Sequence, residues 1–198
     1  MALSARYRTL GPRITGLGKH LLPRKTALGL YSPRQHDRIR GYVVLAHAEI
    51  EYCLEKLAEE AVVAALAGFL ADGRVRSCLQ SLLTAFPANQ RPVPWGTWTQ
   101  RRRIQWCVRI YRQTILPRNH GASSKHVLNL VRPLGITQSQ LDTTWLAAAD
   151  TLFSKRGAMA HTAVSVQTDP NPEDERRAVR AVAAGLGDLD RLLAQVTS

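Results

Sequence analysis

A chain of 198 residues is long enough for one well-buried core with appendages and too short for two independent globular domains of ordinary size. Hydrophobic residues at 45% and charged residues at 21% exclude a disordered chain, and the longest apolar stretches, such as residues 61–71, fall short of the about 20 residues that cross a bilayer. A net charge of +12 makes polyanions, nucleic acid first, the natural partners.

Residues 1–40 hold nine Lys/Arg against a single acid, Asp37, so this fifth of the chain carries +8 of the +12. Its mixture of Gly, Pro, Ser and Arg reads as a flexible basic arm over residues 1–33, in front of one domain over 34–198. An organellar transit peptide has the same Arg-rich, acid-poor composition, and both readings stand.

From Pro33 the pattern turns helical. Ile39, Val43, Ala46, Ile50, Cys53 and Leu57 are separated alternately by four and three residues, which predicts one buried stripe on a long helix reaching about Leu70, before the break at Asp72-Gly73. A shorter helix carries Val75, Cys78, Leu79, Leu82 and Phe86. Three prolines and a glycine make residues 87–96 a loop. A third helix follows with Ile104, Val108, Tyr111 and Ile115 on one face, ending at Pro117.

A short helix is expected over residues 124–131, closed by Pro133 and Gly135. Thr137 and Gln140 have the spacing of a capping box, predicting a helix that carries Leu141, Trp145, Ala148, Ala149 and Leu152 and reaches Lys155-Arg156-Gly157. The last helix has Asn171 as N-cap, Pro172 at its first position and the acids Glu173, Asp174 and Glu175 in its first turn. Its seam, Val179, Val182, Leu186, Leu189, Leu193 and Val196, suits packing on the core or on a second subunit. The one strand-like alternation spans only residues 162–166, so the chain reads as all-α.

Cys53, Cys78 and Cys107 lie far apart without CxxC spacing. They read as buried free thiols in a reducing compartment, hence a cytoplasmic protein, and give no metal site. No P-loop, dinucleotide fingerprint or GxSxG is present, and no cofactor is expected.

The chemistry concentrates at Arg156 and His161. A histidine can take a proton from a ribose 2′-hydroxyl near neutral pH, and a guanidinium can hold the phosphate and offset charge that develops on it. On a regular helix five residues set the two side chains about 140° apart, so they converge only if the helix breaks at Gly157 or if each faces a site completed by another chain. The plain alternative is a helix-terminal histidine and a solvated arginine. His47 and Glu51 share a helix face and would satisfy one another. Arg101, Arg102 and Arg103 lie close to Trp95, Trp98 and Trp106, the composition of an RNA-binding groove and equally of a solvated basic face over core tryptophans.

The segment from Leu152 to His161 resembles the R-x4-6-H signature of the HEPN superfamily. Residues 38–52 resemble the opening helix of its RiboL-PSP-HEPN branch, and Asn119-His-Gly121 with residues 129–136 resemble that branch's middle section. The resemblance implies an all-helical, HEPN-like bundle that dimerises so that two motifs face one cleft, and a metal-independent endoribonuclease of toxin–antitoxin or anti-phage defence type. RNA, a second copy and an antitoxin or other defence protein would be its partners. Arg156 would bind phosphate, His161 would act as acid/base, Glu51 with His47 would support them, and Lys155 would join Arg101, Arg102 and Arg103 in binding RNA. The chain departs from the pattern at Gly157, where the family often has Asn, Asp or His. A catalytically silent RNA-binding or protein-interaction module, or a plain helical scaffold, is the alternative.

Overall fold

The computed structural model describes residues 3–26, 29–86, 90–92, 94–161 and 169–198, without the side chain of residue 161. The alternation over residues 162–166 lies outside the described residues. Those described form seven α-helices and no strand. None of these helices is long and apolar enough to cross a membrane.

The organising element is α2, Pro33–Asp72, 40 residues and about 60 Å long. Its start is a complete capping box. The Ser32 amide donates to Gln35 Oε1 at 2.8 Å, the Gln35 amide donates to Ser32 Oγ at 3.4 Å, and Pro33 takes the first turn, where its missing N–H costs nothing. Its end is Gly73 in the left-handed conformation, φ +74°, with its N–H donating to the Phe69 carbonyl. The predicted stripe from Ile39 to Leu57 is buried throughout.

Every other helix packs on α2. Helix α3 is Ser77–Ala85, and α4, Gln100–Ile110, continues through a π-helical turn, Tyr111–Ile115, and a 3-10 turn, Leu116–Arg118. Helix α5, Ser124–Val131, has the expected bounds and is locked to this bend by the buried Tyr111 hydroxyl, which donates to the Leu130 carbonyl at 2.9 Å. Helix α6 is Thr143–His161 and α7 is Pro172–Thr197. Asn171 caps α7 as predicted, accepting from the amides of Glu173 and Asp174. The α7 seam, buried from Val179 to Leu193, packs within the chain on α2 and α6.

Two expectations are corrected. The Thr137–Gln140 capping box closes only a 3-10 turn, Gln138–Gln140; α6 begins afresh after Asp142, whose carboxylate accepts from the amides of Thr144 and Trp145. The second correction concerns the flexible arm expected over residues 1–33, where Ala5–Leu21 form a helix, α1, docked on α2 and α7. Leu10 and Ile14 are buried, with Leu17 and Leu21 half-buried on the same stripe, so apolar burial outweighs the about 3 kcal/mol that an internal proline, here Pro12, costs a helix. Arg6 pairs with Glu60 and Arg13 with Glu49, so α1 runs antiparallel to α2. The Ser4 amide donates to the buried Asp190 carboxylate at 2.7 Å.

Because docking rests on burial and the ion pairs are exposed, Leu10→Ala should lower stability by about 2–5 kcal/mol in urea unfolding. Arg13→Ala should leave the urea midpoint close to that of wild type.

Candidate active site

Arg156 sits on α6, which runs unbroken through Gly157 to residue 161. A break at Gly157, one of the two conditions for convergence, is absent because Ala158, Met159 and Ala160 favour the helix and a single internal glycine costs only about 1 kcal/mol. Positions 156 and 161 therefore lie about 140° apart around the helix axis. Phe153, one turn earlier, falls between them around the axis. A side chain at Gly157 would meet open space, so the surface between the two positions is unobstructed. The His161 side chain lies outside the described residues.

Helix α2 presents His47, Glu51 and Glu55 at successive four-residue spacings, with His47 within reach of the Arg156 charge. His47 is only 1% exposed and neither ring nitrogen has a hydrogen-bond partner. The mutual satisfaction of His47 and Glu51 expected from their spacing is not made: Nδ1 stands 3.6 Å from Glu51 Oε2, outside hydrogen-bond range. Burial, then the Arg156 charge, then His126, hold the His47 pKa down to about 4, so this imidazole is neutral at neutral pH. Arg156 itself makes no ion pair among the described residues, and its buried Nε lacks a partner.

Sequence reasoning missed the third wall, the loop from Asn119 into α5. Asn119, 4% exposed, donates through Nδ2 to the Gly121 carbonyl at 3.1 Å. Its amide also faces Glu55, whose pKa is raised by burial and by Glu51 and partly restored by Asn119 and His120. Ser123 Oγ lies 2.6 Å from His126 Nδ1, and the Phe153 ring packs against both imidazoles, its centroid 5.7 Å from that of His47 and 5.1 Å from that of His126. This closeness requires Gly121: a Cβ there would lie 2.6 Å from Phe153 Cε2 and 2.8 Å from His126 Cε1. The available signal was the Asn119-His-Gly121 tripeptide.

No protein-family model, curated protein or solved structure matches this chain. The chemistry of the site is therefore read from its own residues. The His47 imidazole lies within reach of both the Arg156 charge and the Glu51 carboxylate without a hydrogen bond to either, the state of groups organised around something other than each other. No cluster of three or more His, Cys, Asp or Glu among the described residues is arranged to hold a metal ion.

The expected RNA-contacting arginines are gathered elsewhere, on α4. Arg102 lies over the Trp98 ring at 4.2 Å; Arg103 and Arg91 lie over Trp95 at 5.7 and 5.3 Å. Trp95 in turn packs against Trp98 and Trp106. Much of the aromatic surface expected to stack bases is thus covered by the chain's own guanidiniums. Arg101 is exposed. Lys155, grouped with these arginines by sequence, instead donates to the buried carboxylate of Glu175 at 2.7 Å and ties α6 to α7. Cys53, Cys78 and Cys107 are buried free thiols, as expected. Burial pushes Cys53 and Cys78 up to about 12, far from a reactive thiolate.

Two outcomes follow from this geometry. Gly157→Ala should raise stability by about 0.5–1 kcal/mol in urea unfolding, as an alanine in an uncrowded helix interior does. His47 binds a proton less readily in the fold, at about 4, than in the unfolded chain, at 6.5. Its stabilising contribution is therefore complete above about pH 6.5 and lost as pH falls through that range toward 4. It amounts to no more than about 3 kcal/mol, and His47→Leu should flatten that part of the stability–pH profile.

Proposed function

We propose that this protein is a metal-independent endoribonuclease of the HEPN kind, with Arg156 and His161 as its phosphate-binding and proton-transferring residues. The observation that carries the reading is Arg156: a guanidinium without an ion-pair partner among the described residues, its charge acting on a neutral buried imidazole, next to open surface at Gly157. A guanidinium so placed binds two phosphate oxygens and stabilises the charge that builds on them as a 2′-oxygen attacks phosphorus. An imidazole removes the 2′-hydroxyl proton, leaving a 2′,3′-cyclic phosphate and a 5′-hydroxyl. Glu51 and His47 position the guanidinium from the α2 side. The unbroken helix sets positions 156 and 161 about 140° apart around its axis, which favours a composite site in which two copies each contribute to one cleft. Release of such an activity would suit a toxin or anti-phage role under the control of a partner protein.

A second reading is favoured by the α4 surface, where a cavity of about 270 Å³ is lined by Trp98, Arg102, Gln105, Trp106 and Arg109. A silent RNA-binding module would use this basic, aromatic face and leave Arg156 idle.

Incubating the protein with total and transfer RNA in EDTA separates the two. The nuclease yields 2′,3′-cyclic phosphate ends, and Arg156→Ala and His161→Ala each reduce cleavage by about 10²-fold or more while melting as wild type does. A silent module yields no cleavage, and its RNA affinity falls steeply with salt and survives His161→Ala.

A further inference from the structure

We propose that His126 is a second proton carrier of this site, the group that protonates the departing 5′-oxygen; this rests on the nuclease reading. In cleavage the 2′-oxygen forms a bond to phosphorus while the bond to the 5′-oxygen breaks. The 2′-hydroxyl gives up one proton and the 5′-oxygen takes one, so protons balance. In an in-line displacement these events lie on opposite sides of phosphorus, so the base and the acid are two separate groups, and in a two-copy cleft the partner's His161 competes with His126 for the acid role.

Among the imidazoles that lie near Glu51 and Glu55, His47 is sealed from solvent and held neutral, which unfits it for exchange with a substrate. His120 is exposed and has no hydrogen bond fixing its ring. His126 combines partial exposure with a fixed ring. Ser123 engages Nδ1 at 2.6 Å, Phe153 packs on one side, and the bare Cα of Gly121 admits both, which leaves Nε2 available for transfer. Phe153 lies one turn from Arg156 on α6, so the held imidazole and the phosphate-binding guanidinium share a wall. Burial holds the His126 pKa below the usual imidazole value, with Lys125 and His120 acting in the same direction, while Glu51 and Asp150 pull it back toward the protonated form that an acid needs. A Ser–His pair of this kind positions the ring; it does not make Ser123 a nucleophile here, because Nδ1 is its partner and the reacting hydroxyl belongs to the RNA.

The test compares wild type, His126→Ala and His126→Gln on an RNA with one cleavable linkage and on the same RNA carrying a 5′-bridging sulfur at that linkage, a leaving group that departs without protonation. The expected result is a loss of about 10²-fold or more on the oxygen substrate and near wild-type rates on the sulfur substrate, for whichever variants keep the wild-type melting temperature. An equal loss on both substrates, or no loss on either, overturns the role of His126 while leaving the nuclease reading in place. Should neither variant retain the fold, the wild-type ratio of sulfur to oxygen rates decides as pH rises: a growing sulfur advantage supports an acid in the site, and a constant ratio overturns it. Failure of wild type to cleave either substrate overturns the nuclease reading and this assignment together.

Discussion

A 40-residue helix with an apolar stripe along most of its length cannot persist in water unless that stripe is covered, and the rest of this fold follows from covering α2. The six other helices each bury part of it. Helices are rigid and their side chains recur at fixed angles, so whatever polar residues α2 carries at the margin of its stripe are held in fixed register against the covering helices. His47, Glu51 and Glu55 occupy such a margin, and α6 with the loop before α5 close over it. A site built this way is positioned by the same packing that stabilises the chain.

Packing also sets the electrical state of the site. Moving an imidazole out of water beside a guanidinium favours its neutral form twice over, once through lost hydration and once through like-charge repulsion. His47 accordingly leaves the Arg156 charge uncompensated from its side while adding none of its own. The cost is tolerated because the surrounding core is large and well packed, and it buys a cation that is already oriented and partly dehydrated before any anion arrives, the condition under which a guanidinium stabilises a phosphate best.

How much of this was legible in the sequence depends on whether a feature is local. The bounds of α2 and α7 could be read because Pro33, Gly73 and Asn171-Pro172 act on their own neighbours, and those of α5 because Pro133 and Gly135 stop it. The α1 helix was hidden because its Gly, Pro and Arg content describes solubility and stiffness, whereas its fate is decided by Leu10 and Ile14 finding a groove between α2 and α7. Gly157 left open whether the helix breaks there, and the helix continues through it. Arg156, His47 and Glu51 were legible as residue types. The contributions of Asn119, Ser123, His126 and Phe153 were not, because their meeting depends on the loop after α4 folding back against α6, a juxtaposition no spacing along the chain encodes.

The distribution of ion pairs sharpens the contrast between charges that hold the fold and charges that do not. In a chain with an excess of twelve cations, most carboxylates end beside a Lys or Arg: Glu49 with Arg13, Glu59 with Lys56 and Arg112, Glu60 with Arg6, Asp72 with Arg76, and Glu175 with Lys155. Asp142, Asp150 and Asp190 are spent on backbone amides. Glu51 and Glu55 are the exceptions among the described residues, facing imidazoles and an asparagine amide although basic side chains abound. Glu51 reaches toward the His47 ring, 3.6 Å away, and Glu55 toward the Asn119 amide, so in the proposed nuclease the Arg156 guanidinium would accept a phosphate without first breaking an internal ion pair.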